Sequence, residues 1–306
     1  MKNKKICIIG YGSHVKKTII PSLNLKKENI KFVTKKKIKN YDTFFSIEEA
    51  VKKLSKDYIF FNSTPPESHF LTSKLILSSG FNIIIEKPIC LNERQLIKLN
   101  DISKKKKLFM FENMMYFYSK QFILFKKVLR KKKDIKSIDI KFSIPSFNRK
   151  SFRLKNSLQS SILYDMGCYP FSLISYFSFN YNNLVISHKI KNKKLIFIKS
   201  SFVSKKIKFK ITIAIYRKYE NYVKVNFNNN TSLILNHFFY GKKIVKKNYL
   251  IKFNKKISEF NIKEVNLFNS IFNYSNQKLS KLSKDQFIVI KKYLKILNKI
   301  KKSVKL

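Results

Sequence analysis

The amino-acid sequence predicts an α/β protein of two domains: an N-terminal domain built on a parallel sheet, and a C-terminal α+β domain with an open, mostly antiparallel sheet. The chain has 306 residues and 44% hydrophobic content, which is enough for two cores. Short apolar runs alternate with helical patterns through its first third, which is typical of a parallel sheet covered by helices. From 184 to 253, β-rich runs separated by Asn- and Lys-rich turns favour an antiparallel sheet.

Five apolar runs predict the strands of the parallel sheet. They cover 4–9, 30–34, 58–62, 82–85 and 108–111. Helices are predicted between them from their end signals: Ser46 and Glu49 form a capping box, Gly80 ends a helix over 67–79, and Asn92 begins another. Pro21 is expected to kink the first helix. This alternation predicts a domain over 1–118.

After residue 118 the pattern changes and predicts a second domain over 119–306. A basic, irregular stretch over 145–161 is interpreted as a mobile loop near a site, and 162–177 has a strongly helical pattern. An amphipathic helix over 283–302 closes the chain and could pack back on the N-terminal domain. We expect the open sheet of this domain to mediate a homodimer or homotetramer.

The formal net charge of +49 would ordinarily indicate a nucleic-acid or membrane partner. However, only five of the 66 basic residues are Arg, and lysines occur in every segment. A dedicated nucleic-acid binder would use Arg for bidentate contacts and concentrate its charge on one face. We therefore expect no specific nucleic-acid partner, with a charge-driven nucleic-acid binder kept as an alternative.

The cysteines and the N-terminus favour a cytoplasmic protein. Cys7, Cys90 and Cys168 are odd in number, far apart and in no CxxC pair, so neither a disulfide framework nor a metal site is predicted. The apolar run 6–9 stops at Gly10, too early for a signal peptide. No uninterrupted apolar segment approaches the roughly 18 residues of a membrane span, so no membrane partner is expected.

The turn after the first strand carries a dinucleotide-binding pattern. Gly10 permits a tight turn, and Gly12 lets a pyrophosphate approach the backbone N–H groups at the start of the helix, where Ser13 and His14 lie. His14 could touch cofactor phosphates or face solvent. Val15 replaces the third glycine, which is expected to loosen the packing of helix on strand. The pattern predicts an NAD(P) site in a Rossmann-type domain; a simple tight turn is the alternative.

The end of the second strand bears on the choice between NAD and NADP. A carboxylate about 20 residues beyond the glycines would bind the ribose of NAD, and this chain has none there. Instead Thr34 and Lys35 follow the strand, with two more lysines behind them, and these groups suit the 2′-phosphate of NADP. In so lysine-rich a chain the run could equally be a solvated loop. We lean to NADP.

Glu86-Lys87-Pro88 follows a strand at the edge where open α/β sheets place their ligands. A lysine there, beside a glutamate and a rigid proline, can donate a proton or polarise a carbonyl. With 61 lysines in the chain, position rather than identity singles out Lys87.

Several motifs together resemble one enzyme family. The segments 64–69 and 82–88, with Gly80 between them, look like the glucose-fructose oxidoreductase/inositol dehydrogenase family, in which Glu-Lys-Pro follows a helix that ends in glycine. The segment 111–116 resembles the link between that family's two domains. Asp165-Met-Gly-Cys-Tyr169 resembles its second motif, Asp-x-Gly-x-His/Tyr, in the tyrosine form. The match is scattered over nearly the whole chain.

The resemblance implies reversible, NAD(P)-dependent oxidation of a secondary alcohol on a sugar or nucleotide-sugar. Lys87 and Tyr169 would handle the proton, and Asp165 would orient the substrate or the lysine. Because Asp165 and Tyr169 are four residues apart, one helix would place them on one face. Tyr169 as an ordinary core aromatic is the alternative. The resemblance also implies cofactor contacts from Ser63, Thr64, Pro65, His69 and Glu86; we expect His69 to fix the start of its helix as well.

The substrate side is less specific. Arg153, in the basic stretch, is a hypothetical ligand for an anionic group such as a nucleotide-sugar phosphate. Ser160-Ser161 stands where the family usually has glycines, and Phe117 where an arginine is common, so substrate identity is the part most in question. A catalytically silent dinucleotide or sugar sensor of the same fold is the rival function. Retention of the lysine and the tyrosine argues against it.

Overall fold

The structure, a computed structural model, describes residues 4–131, 134–145, 161–192, 194–239, 247–253 and 256–304. The chain forms two compact units: Met1–Met114 with Phe268–Lys295, and Met115–Leu267 with Ile296–Leu306. The division between domains at 118 and 119 stays a prediction.

The first unit is built on a six-stranded parallel sheet in the order β3-β2-β1-β4-β5-β6. Its strands are β1 (Lys5–Ile9), β2 (Ile30–Val33), β3 (Asp42–Phe44), β4 (Tyr58–Asn62), β5 (Ile83–Ile85) and β6 (Met110–Glu112). Strands β4 and β5 are buried along their whole length, as expected for a parallel sheet covered on both faces. The predicted Rossmann-type sheet is confirmed, and β3 is a strand that the sequence did not predict.

Helices connect these strands. They are α1 (Ile20–Ser22), which continues a π-helical turn over Val15–Ile19, then α2 (Ile47–Lys53), α3 (Pro66–Ser78) and α4 (Glu93–Lys105). The Ser46 side chain accepts a hydrogen bond from Glu49 N, as the capping box predicted. Asn92 caps α4 in the same way. The first helix ends at Ser22, directly after Pro21, instead of continuing through a kink.

The second unit contains an eight-stranded open sheet in the order β14-β13-β12-β11-β7-β10-β9-β8. Its strands are β7 (Ile135–Ile144), β8 (Val185–Lys191), β9 (Lys194–Ser204), β10 (Ile207–Ile215), β11 (Glu220–Phe227), β12 (Thr231–Asn236), β13 (Lys247–Phe253) and β14 (Lys256–Ile262). Among the pairings of the described strands in this second sheet, only β7–β10 is parallel. Burial alternates along β11, so one face of the sheet covers a core. The predicted mostly antiparallel sheet is confirmed.

The remaining helices are α5 (Lys120–Lys131), α6 (Ile162–Asp165), α7 (Cys168–Tyr176), α8 (Leu267–Phe272) and α9 (Asn276–Ser303). The helical pattern over 162–177 is therefore broken between α6 and α7. Gly167 N donates a hydrogen bond to Ile162 O at 2.9 Å, and a Cβ on Gly167 would lie 2.3 Å from Leu163 O. Only glycine allows so close a turn. Helix α9 begins earlier than the predicted 283, and its part up to Lys295 belongs to the first unit.

Candidate active site

The carboxyl edge of the parallel sheet contains the point where strand order reverses. The chain passes from β1 to β2 on one side, whereas β4 lies on the other side of β1. Ligands of open α/β sheets bind in the crevice outside the strand ends at such a point.

Backbone hydrogen bonds bring the strand ends together at this edge. Gly10 N donates to Val33 O at 3.0 Å, so the glycine turn adjoins the end of β2. Ser63 N donates to Ile9 O at 3.1 Å, and Glu86 N donates to Asn62 O at 2.9 Å. The edge thus brings together the segments that hold Gly10, Gly12, Ser13, His14, Thr34, Lys35, Ser63, Thr64, Pro65, Glu86 and Lys87.

Glycine is suited to positions 10 and 12 of the first turn for different structural reasons. Gly10 has φ +91°, and a Cβ there would lie 3.1 Å from Ser63 O, so both its conformation and its neighbour favour glycine. A Cβ on Gly12 would meet nothing within 4 Å. Gly12, Ser13 and His14 are exposed. This open backbone beside the strand ends fits the approach of a pyrophosphate.

The structure after β2 is compatible with both interpretations of the lysine run, as a site for the 2′-phosphate of NADP and as a solvated loop. Thr34 N donates to Phe44 O at 3.0 Å, which fixes the threonine beside β3. Lys35 and the two lysines after it are exposed. They are available to an anionic group and are equally well solvated.

The turn after β4 is organised by Asn62, a buried residue that the sequence analysis did not select. Its Oδ1 accepts hydrogen bonds from Thr64 N (3.2 Å) and Thr64 Oγ1 (2.7 Å). Its Nδ2 donates to His69 O (3.3 Å) and Ser73 Oγ (3.1 Å). The turn over 63–65 is thereby held against the start of α3.

His69 joins this turn to the lysine motif. The ring is 1% exposed, with Nε2 2.7 Å from Thr64 O and Nδ1 2.7 Å from Pro88 O. Burial lowers the pKa of His69 and outweighs the opposing effect of the two carbonyl groups and Glu86; Lys87 lowers it further. A neutral imidazole carries one N–H and donates to one of these carbonyls, whereas the cation would donate to both.

Glu86 forms a small polar cluster beside the glycine turn. Its Oε1 accepts a hydrogen bond from Asn113 Nδ2 at 2.7 Å and lies 3.2 Å from His14 Nε2. Burial acts to raise the pKa of Glu86, but His14, the Asn113 amide and Lys87 outweigh it, so the net pKa lies below its usual value. Glu86 is therefore an anion at neutral pH. Lys87 is half-buried, and its peptide bond to Pro88 is cis.

The end of β6 supplies two further residues. Glu112 is 1% exposed, and its Oε1 accepts hydrogen bonds from Ile89 N at 2.9 Å and from Tyr293 Oη. Burial raises the pKa of Glu112 to about 7. Asn113 Oδ1 is buried and has no hydrogen-bond donor within the described ranges, so it is an unsatisfied acceptor behind the strand ends. The sequence analysis did not select Glu112. The signal that could have found it is a carboxylate at the end of a buried strand, in a chain with only 17 acidic residues.

Asp165 and Tyr169 lie in the second unit, at the end of α6 and in α7, so they do not share one helix as the spacing suggested. They are 5% and 6% exposed. The Tyr169 ring packs against Tyr116, Phe142 and Phe239 with centroid distances of 6.2, 5.5 and 5.6 Å. Within its own unit Tyr169 thus has the packing of a core aromatic.

Arg153 and Ser160 lie outside the described residues. No group of three His, Cys, Asp or Glu side chains in the described ranges could hold a metal ion. None of the helices in that part of the chain combines the length and hydropathy that a membrane crossing requires.

Comparison with known proteins identifies the fold. No protein-family model and no curated protein sequence matches the chain. The solved structure of KijD10, a 3-ketoreductase from Actinomadura kijaniata in complex with NADP and TDP-benzene, is similar with a TM-score of 0.80 at 15% identity, over 94% of each chain. YvaA of Bacillus subtilis, named as a proposed oxidoreductase, gives 0.70 at 12% identity over 98% of this chain and 97% of that one. YPO2259 of Yersinia pestis, named likewise, gives 0.75 at 11% identity over 97% and 93%. These similarities establish a shared fold.

Proposed function

We propose that the protein is an NAD(P)-dependent oxidoreductase that transfers a hydride between the nicotinamide and a secondary alcohol or ketone of a sugar or nucleotide-sugar. One observation carries the proposal: the glycine turn, the turn over 63–65 and Glu86-Lys87 meet at the strand-order reversal of a parallel sheet. The oxidoreductase names of the structural neighbours support it. So does the resemblance to the tyrosine-type branch of the glucose-fructose oxidoreductase/inositol dehydrogenase family.

The proposed cofactor is NAD(P), with a lean to NADP. The open backbone at Gly12 fits the pyrophosphate of a dinucleotide. Thr34 and Lys35 would contact the 2′-phosphate, and the KijD10 structures hold NADP. Further contacts are proposed from Gly10, Ser13, His14, Ser63, Thr64, Pro65, His69, Glu86 and Lys87.

The proposed chemistry needs a proton handler and a positive charge. Bound NAD(P) supplies or accepts the hydride. Lys87 polarises the substrate oxygen and assists Tyr169, which takes the proton from the alcohol or returns it to the ketone. Asp165 orients the substrate or the lysine. Arg153 binds an anionic group of the substrate, such as a nucleotide phosphate.

The test is turnover with matched variants. Purified protein is incubated with NADPH or NADH and a panel of keto-sugars and nucleotide-linked keto-sugars, and nicotinamide absorbance is followed. We expect Lys87→Ala and Tyr169→Phe to lower turnover by about a hundredfold or more with cofactor affinity largely kept. Lys74→Ala, at an exposed lysine of α3, and Tyr176→Phe, on α7, are the controls. Wild-type turnover in both site variants would remove the assignment.

A catalytically silent sensor of the same fold is the second candidate. The burial of Tyr169 among aromatic rings favours it, because a core tyrosine needs no proton-transfer role. This candidate predicts that NADPH binds to the wild type, measured by fluorescence titration, while no compound of the panel is reduced.

We further propose a cytoplasmic homodimer or homotetramer formed through the eight-stranded sheet. Ile251, Phe253, Ile257 and Phe260 are exposed apolar side chains on the adjacent strands β13 and β14. Cys7, Cys90 and Cys168 are free thiols, which fits a reducing compartment. Light scattering coupled to size exclusion tests the assembly; a monomer at micromolar concentration would contradict it.

A further inference from the structure

The peptide group between Pro88 and Ile89 is held at both of its polar ends. Pro88 O lies 2.7 Å from His69 Nδ1, and Ile89 N donates to Glu112 Oε1 at 2.9 Å. Both side chains are 1% exposed. This peptide directly follows Lys87-Pro88, so its orientation sets the path of the backbone that carries Lys87.

Both side chains that hold this peptide also face further groups on their far sides. The second nitrogen of His69 faces Thr64 O in the turn after β4. Glu112 accepts a hydrogen bond from Tyr293 Oη of α9. Its backbone pairs with the amide of Gln286, since Glu112 N donates to Gln286 Oε1 at 3.0 Å and Gln286 Nε2 donates to Glu112 O at 2.9 Å. The contacts tie the turn over 63–65, the Glu86-Lys87-Pro88 segment and α9 into one network.

The charged and titratable groups around Glu112 come from two elements. Glu86, Lys87 and Cys90 face it from the segment between β5 and α4, and Tyr293 faces it from α9. Burial raises the pKa of Glu112 to about 7; Tyr293, Ile89 N–H and Lys87 oppose the rise, and Glu86 adds to it. Neutral and anionic forms of Glu112 therefore coexist near neutral pH.

We propose that Glu112 and His69 are positioning residues that clamp the Pro88–Ile89 peptide and so place Lys87, and that the ionisation of Glu112 regulates the site. The inference rests on the proposed function in so far as Lys87 takes part in catalysis. The carboxylate accepts the Ile89 N–H and Tyr293 O–H bonds more strongly than the neutral acid, because charge-assisted hydrogen bonds are the stronger ones. While Glu112 stays buried, rising pH therefore tightens the clamp, although the buried charge lowers the free energy of unfolding of the whole chain.

Substitutions of Glu112 separate its geometry from its charge. Glu112→Gln keeps an Oε1 acceptor for Ile89 N–H and removes the ionisation, whereas Glu112→Ala removes the acceptor. Tyr293→Phe removes one donor to the carboxylate. Glu28→Gln, at an exposed glutamate of the same unit, is the control.

Hydrogen exchange of the Ile89 amide, followed by NMR with labelled isoleucine, measures the clamp without turnover. In the wild type we expect exchange, corrected for its intrinsic pH dependence, to slow as pH rises through about 7. Glu112→Gln loses this pH dependence, Tyr293→Phe moves it to higher pH, and Glu112→Ala exchanges roughly tenfold faster, as loss of one hydrogen bond implies. The Glu28→Gln protein matches the wild type. Equal exchange in Glu112→Ala and wild type, or an unchanged pH dependence in Glu112→Gln, overturns the clamp.

Turnover supplies the second measurement. We expect kcat of the wild type to rise through about pH 7, and Glu112→Gln to lose this rise and to lower kcat by up to about a hundredfold, the cost of a misplacement near 1 Å. The KM for NADPH should stay close to the wild-type value. A wild type without turnover overturns the proposed function instead, and Ile89 exchange then decides the clamp alone. A wild-type kcat profile in Glu112→Gln overturns the regulatory role.

Discussion

Replacing Glu112 by Gln should make the protein more stable relative to wild type as pH rises. The carboxyl is buried, and its pKa in the folded protein, about 7, lies above the ordinary value of 4.5. Between these values the folded chain holds a proton that the unfolded chain has released. The free energy of unfolding contributed by Glu112 is therefore full below pH 4.5 and is lost as pH rises to about 7.

The magnitude follows from the gap between the two pKa values. Each pKa unit corresponds to about 1.4 kcal/mol, so the loss across this window is on the order of 3 kcal/mol. A glutamine cannot ionise, so Glu112→Gln lacks this pH dependence. Relative to the wild type, the variant should gain about that amount of unfolding free energy between pH 4.5 and pH 8, whatever fixed cost its amide adds.

Urea unfolding followed by circular dichroism at half-unit pH steps measures the difference between the two proteins. Other titrating groups cancel in that difference, since both proteins contain them. Glu28→Gln, which changes an exposed carboxylate in the same way, should give no comparable trend. Stability curves of wild type and Glu112→Gln that run parallel from pH 4.5 to 8 would refute the reasoning.

Four other outcomes are expected. Gly167→Ala should destabilise the protein by about 1–3 kcal/mol in urea, because its Cβ would lie 2.3 Å from Leu163 O. In contrast, Gly12→Ala, with open space at its Cβ, should keep stability while weakening NADPH binding in fluorescence titration. Burial lowers the pKa of Lys4 to about 8, so the wild type should gain unfolding free energy as pH rises from 8 to 10.5, and Lys4→Met should lack that gain in urea unfolding. Binding to a DNA duplex, followed by anisotropy, should be weak, indifferent to base sequence and lost near physiological salt; a sequence preference there would favour the nucleic-acid alternative.

Local sequence signals were sufficient to predict most of the strands and helix ends of the first unit. Ser46, Asn92 and Gly80 act within a few residues of themselves, and the structure has caps or helix ends at all three. Strand β3 was missed because its three residues are exposed or half-exposed and give no apolar run. The pattern over 162–177 indicated apolar helix faces, but not the close approach of Leu163 O to Gly167 that divides them.

The residues missing from the predicted site are those whose role depends on distant partners. Glu112 contacts Ile89 and Tyr293, which are 23 and 181 positions away in the sequence. Nothing in its own neighbourhood of the sequence indicates such partners. Glycines and a Glu-Lys-Pro motif predict the edge of the sheet at which the cofactor is proposed to bind, whereas the contacts of the buried groups behind that edge emerge only when the strands are placed side by side.

The two-sided hold on the Pro88–Ile89 peptide has a consequence for the order of assembly. Its acceptor, Glu112 on β6, is supported by Tyr293 of α9, which comes much later in the chain. A shortened protein that ends before α9 can pair β1 with β4 and β4 with β5, yet it lacks the support behind Glu112. During synthesis the Glu86-Lys87-Pro88 segment would therefore acquire its final shape only after α9 has left the ribosome and its Tyr293 has reached Glu112.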